Sequence, residues 1–100
     1  MDGTASVATD VLASYAADAA REVEGVAGLV EGRIPRHGGV RVSGDGGLTV
    51  ELHLVLEWGA GAEKIGAEVQ RRVSDYLQRM AGARPRAVNV VVAEIAGPGR

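Results

Sequence analysis

From Leu48 to Trp58 the chain alternates strictly. Leu48, Val50, Leu52, Leu54, Leu56 and Trp58 fall on one side, and Thr49, Glu51, His53, Val55 and Glu57 on the other. A period of two held this long predicts a β-strand that buries one face and presents the other to water or a partner. The rest of the chain must supply a cover for that single apolar face.

Upstream, Val11, Leu12, Tyr15, Ala16, Ala19, Ala20 and Val23 recur at helical spacing, with Asp18 and Glu22 opposite. Asp10 or Thr9 serves as N-cap and Gly25 as stop, which predicts a first helix over 10–24. Residues 25–39 hold five glycines and Pro35 and read as a loop, with Val26, Leu29, Val30 and Ile34 tucked inward. Val40 and Val42 alternate with Arg41 and Ser43 as a short strand, and the Ser43–Gly47 turn makes a hairpin into the long strand. Gly59 and Gly61 break that strand. Ile65, Val69, Val73, Tyr76, Leu77 and Met80 then mark an amphipathic helix over 62–81, closed by Gly82 and Pro85. Val88, Val90 and Val92 alternate with Asn89, Val91 and Ala93 in a last strand.

This order is α-β-β-α-β. A right-handed crossover through the second helix makes the last strand parallel to the long one. The predicted fold is α+β: a two-layer plate with a three-stranded mixed sheet and both helices on one face. Whether the last strand lies beside the long strand or the short one is left open by the crossover rule. One domain spans 10–95, with an N-terminal arm at 1–9 and a tail at 96–100.

A chain of 100 residues holds one core. That core is built from small units, since there is no Phe, one Trp and two Tyr. The absence of cysteine excludes disulfides, thiolate metal sites and a Cys nucleophile. No apolar run reaches the roughly 18 residues of a membrane span, and Asp2 stands where a signal peptide would be basic. A cytoplasmic protein is expected, with any membrane association made through a partner. Charge is unevenly spread: residues 1–32 carry six acids and one base, net −5, while residues 62–100 carry seven bases and four acids, net +3. Such a dipolar domain suits self-association or a charged partner.

Candidate chemistry is sparse. His37 and His53 are the only imidazoles, and no carboxylates stand at metal-ligand spacing from them. Glu51 and Glu57 lie about 20 Å apart on one strand, too far to act on one bond. Trp58-Gly59-Ala60-Gly61-Ala62-Glu63 lacks the third glycine of a dinucleotide fingerprint, because Lys64 occupies its place. Arg71, Arg72, Arg79, Arg84 and Arg86 offer a nucleic-acid surface, without stacking aromatics or a Gly-x-x-Gly clamp; they fit equally as a solvated helix side and its following loop. No catalytic residue, cofactor, metal or small-molecule substrate is expected.

Several stretches in order carry a family resemblance. Gly25-Val26-Ala27-Gly28-Leu29 follows the first helix, and the hairpin ends in Leu56-Glu57-Trp58-Gly59. Ile65, Val69-Gln70 and Val73 come next, then Met80-Ala81-Gly82 and Val88-Asn89-Val90-Val91-Val92. Together they resemble the alkaline shock protein family, also called the envelope stress response family, from about Thr4 to Ile95. The family often has Tyr where Trp58 stands and commonly Thr where Ala81 stands. The resemblance implies a small bacterial cytoplasmic protein linked to envelope stress, in some members held at the membrane by a separate anchor protein. It implies no enzymatic activity and no cofactor.

The sheet face opposite the helices has no element left to cover it. Arg41, Thr49, Glu51, His53, Val55, Glu57, Asn89, Val91 and Ala93 share it, with Val55 and Val91 as its apolar centre. Such a face is either solvated or paired with a second copy or another protein. The leading expectation is a non-enzymatic interaction or scaffold module acting through Arg41, Glu51, His53, Val55, Glu57, Asn89 and Val91. A nucleic-acid-binding module using the arginines is the alternative.

Overall fold

The computed structural model describes residues 2–30, 40–43 and 47–97, with side chains from Val11 onward. His37, the hairpin residues 44–46 and the last three residues of the expected tail lie outside the described residues. Two helices, α1 (Asp2–Arg21) and α2 (Ala62–Ala81), accompany four strands: β1 (Val26–Leu29), β2 (Val40–Ser43), β3 (Thr49–Leu56) and β4 (Ala87–Ile95).

The sheet has four strands where the sequence predicts three. The additional one, β1, arises from the start of the glycine-rich stretch expected to be loop. It is antiparallel to β3, with Val26 opposite Leu56 and Leu29 opposite Leu54. β2 is also antiparallel to β3, with Val40 opposite Leu52 and Ser43 opposite Thr49. The two short strands therefore lie end to end along one edge of β3. The reason is length: β2 has four residues and β3 eight, so β2 alone leaves half of that edge unpaired. Val26 and Leu29 fill the vacant half while burying their own side chains.

β4 is parallel to β3 on the opposite edge, pairing Val50 with Val88 and Leu54 with Val92. This settles the strand order: the last strand lies beside the long one. A bulge follows Leu54, since Val55 pairs with Glu94 and leaves Ala93 unmatched.

Val50, Leu52, Leu54 and Leu56 are buried, while the alternate residues of β3 are half-exposed. Over this buried face lie Ala13, Ala16, Ala20 and Val23 of the α1 region and Ile65, Val69, Val73 and Leu77 of α2, all in one cluster. A buried Leu contributes about 1.5–3 kcal/mol and a single methyl only about 0.8. The buried leucines and valines, with Ile65, thus supply most of the stabilisation, and the alanines let α1 approach closely. Tyr15 and Tyr76 close the helix–helix seam edge to face, with centroids 5.8 Å apart.

Other boundaries shift. The helix backbone begins at Asp2, so residues 2–9, expected as an arm, belong to α1. Its end comes at Arg21 rather than 24, where the amides of Glu22 and Val23 bond three residues back, to Ala19 and Ala20, and tighten the last turn. β3 stops at Leu56, and Trp58, expected on the buried face, sits in a turn with 65% of its surface exposed. Gly59, at φ +84°, turns the chain before Trp58 can become a sixth inward position. Met80, read as part of the apolar stripe, is also exposed. α2 ends at Gly82 as expected, in the left-handed conformation, with its amide donating to Gln78 O.

Candidate interaction surface

The face of the sheet opposite the core is arranged in cross-strand rows. Arg41, Glu51 and Asn89 form one, because Glu51 is opposite Arg41 on β2 and Asn89 on β4. His53 and Val91 form the next. Val55 lies between Gly28 and Glu94 in a third. Six of the seven expected surface residues are brought together in this way. Glu94 is the residue that sequence alternation misses: the bulge at Ala93 moves it into the row that the alternation gives to Ala93. No local signal marks that bulge, because Ala93 and Glu94 are both compatible with a strand.

Within the face, His53 Nε2 and Glu51 Oε2 are 2.7 Å apart, both part-buried, the imidazole N–H donating to the carboxylate. The seventh residue, Glu57, is corrected in position. It follows the end of β3, and its amide donates to Gly25 O. There it lines an open cleft of about 530 Å³ together with Val23, Glu24, Gly25, Ala60, Lys64, Ile65, Glu68 and Arg72.

The arginines of α2 are largely committed to its own carboxylates. Arg71 and Arg72 both donate to Glu68, at 2.7 and 3.0 Å, and Arg79 to Asp75 at 3.3 Å. The two guanidinium hydrogen bonds hold the Glu68 carboxyl below the usual carboxylate range, and the same contact raises the Arg71 guanidinium. Arg79 also lies over the Tyr76 ring, 6.0 Å from its centroid. Arg84 and Arg86 lie in the loop beyond, both exposed.

Among the described residues no group of three or more His, Asp or Glu side chains could hold a metal ion. No helix among them is long and apolar enough to cross a membrane. The arrangement is a rigid, half-polar sheet surface on a small core.

These features define an α+β domain whose mixed sheet is covered on one side. The chain belongs to the alkaline shock protein 23 family, described as having a cell envelope-related function, whose model matches residues 1–96. A relative in Bacillus subtilis, the uncharacterized protein YqhY, is 30% identical over 104 residues, covering 93% of this chain and 77% of that protein. Among solved structures, the MamM CTD in its copper form superposes with a TM-score of 0.65 at 19% identity, covering 90% of this chain and 88% of that one. A double variant of the same domain gives the same TM-score and identity over 85% of its length. At that identity the likeness concerns the fold.

Proposed function

We propose that this chain is a non-enzymatic protein-interaction module serving the cell envelope-related function of its family, with the open sheet face as its contact surface. One observation carries the reading. The face presents Val55 and Val91 among Arg41, Glu51, His53, Asn89 and Glu94, and among the described residues no element covers it. An apolar centre with a charged surround is the composition of an interface patch. The cross-strand ladder holds these side chains at fixed spacing, so a partner meets a preformed surface.

The pairing of Arg71 and Arg72 with Glu68, and of Arg79 with Asp75, weighs against a nucleic-acid surface. Those guanidiniums would have to exchange an existing carboxylate for phosphate.

The test is co-purification of tagged wild type and Val55→Lys from the native organism, with circular dichroism as the folding control. Loss of a stoichiometric protein partner from folded Val55→Lys is the expected result. An unchanged partner set in the folded variant overturns the assignment of this face.

A further inference from the structure

The two most exposed of the large apolar side chains lie at one end of the molecule: Trp58 is 65% exposed and Ile95 57%. Leu56 pairs with Ile95, and the amide of Ala96 donates to Leu56 O, so the ends of β3 and β4 run side by side. Trp58 follows just beyond Leu56, in the turn that leads to α2. Ile95 and Val92 are register partners of the buried Leu56 and Leu54, and so they share the helix side of the sheet. Their exposure there, 38% for Val92, means that α2 leaves them partly uncovered.

Between α2 and this side of β4 lies a shallow groove of about 270 Å³, lined by Ala62, Gly66, Ala67, Val90 and Val92 together with Glu63 and Gln70. Gln70 Nε2 donates to Val88 O at 2.9 Å and ties the two walls together at the end away from Trp58. The fold does not demand glycine at Gly66. Its φ is not positive, and a Cβ there would meet only ordinary contact, 3.9 Å from Val90 Cγ1. Glycine inside a helix is also less stable than alanine. What the missing side chain does is leave the groove open. The charge around this end is mainly negative. Glu57 precedes Trp58, Glu63 lies in the first turn of α2, and Glu94, on the other face of the strand, precedes Ile95; Lys64 is the one base beside them among the described residues.

We infer that this groove docks a segment of a partner protein that carries large apolar side chains beside lysine or arginine. The apolar part fills the space over Gly66 and lies against Val92 and Ile95, with Trp58 at the end of the groove. Tryptophan is among the side chains that most often anchor such contacts, because it buries a large area at little entropic cost. The cationic part answers the carboxylates, Glu63 in the groove lining first. The same carboxylates would repel the anionic headgroups of a lipid surface, which favours a protein as the occupant. This surface lies on the helix side of the sheet, so it is distinct from the open-face contact proposed above and does not depend on it.

Trp58 is the only tryptophan of the chain, so its emission reports on the site. The full chain is titrated, by fluorescence and calorimetry, with a blocked amphipathic peptide of leucine and lysine, with its leucine–glutamate counterpart, and with phosphatidylglycerol vesicles. The leucine–lysine peptide is expected to bind one to one and to shift the emission to the blue, while the other two probes leave it unchanged. Gly66→Leu fills the groove and should weaken that binding about tenfold with an unchanged circular dichroism spectrum, and Glu63→Lys should weaken it by about as much. Val55→Lys should bind as the wild type does, which separates this outcome from the open-face test. No saturable binding, equal binding of the leucine–glutamate peptide, or undiminished binding by folded Gly66→Leu would overturn the proposal. A blue shift with the vesicles would make a lipid surface the occupant, and one that grows with protein concentration alone would make it a second copy; either result overturns the proposal too. Gly66→Ala, for which the fold has room, decides the matter if Gly66→Leu fails to fold.

Discussion

Gly25 and Ile65 are packed so closely that a Cβ on the glycine would overlap the Ile65 Cδ1 methyl and stand 3.2 Å from Cγ1. Gly25 also takes φ +98°, a conformation that costs a side-chain-bearing residue strain. It is the joint at which the chain leaves α1, enters β1 and receives the first turn of α2. Gly25→Ala should therefore destabilise by about 1–3 kcal/mol. Gly28→Ala, with nothing within 4 Å of its Cβ position and no positive φ, should stay within about 0.5 kcal/mol. Urea midpoints of the two variants check the contrast; equal shifts would mean that the Gly25 backbone is not constrained as described.

Leu54 is fully buried between Leu29 on one neighbouring strand and Val92 on the other. Leu54→Ala should cost about 2–5 kcal/mol through lost transfer energy and the cavity left behind. Glu51→Ala on the opposite face forfeits a hydrogen bond to His53 and should cost about 0.5–1.5 kcal/mol. Chemical denaturation ranks them, and comparable losses would reverse the facing of β3.

Trp58 provides a third test, because alternation alone places it in the core. A buried tryptophan cut to alanine costs about 3–5 kcal/mol. With its ring in an exposed turn, Trp58→Ala should cost less than about 1 kcal/mol. The fluorescence of the native protein should also be that of a solvated indole. A strongly blue-shifted native emission would mean that the ring is covered.

Glu68 sets an acid-side dependence. Its carboxyl is held below the ordinary value by Arg71 and then Arg72, so the folded-state pKa lies under the unfolded one. The contribution is complete above the unfolded pKa and fades as pH falls through the folded pKa. The pair is solvent-exposed, so the change should be small and screened by salt. Carboxyl-resonance titration should place the Glu68 midpoint below that of an ordinary glutamate, and Arg71→Ala should move it upward. A midpoint unaffected by Arg71→Ala would dissolve the contact.

Much of the site was legible in the sequence. Period two from Leu48 to Leu56 places Glu51, His53 and Val55 on one face, and the valines of 88–92 do the same for Asn89 and Val91. Glu57 and Glu94 were not legible. Glu57 keeps the correct parity but lies one residue past the strand's end, and Glu94 reaches the face through a bulge invisible in residue type. β1 was hidden as well: Val26-Ala27-Gly28-Leu29 is short, contains glycine and has low strand propensity. It becomes a strand because the far half of β3 offers it backbone partners.

What the sequence by itself determined is the part governed by local chemistry: a one-faced central strand, an amphipathic α2 stopped at Gly82, the order of the elements other than β1, and the family. Periodicity and capping act over a few residues and are written there. What only the tertiary structure decided is the part governed by long-range pairing. That β1 and β2 share one edge of β3, that β4 takes the other, and that Trp58 turns outward all depend on which backbone groups remain unpaired once the core has closed. Residues far apart in the chain compete for those groups, and no local pattern records the outcome.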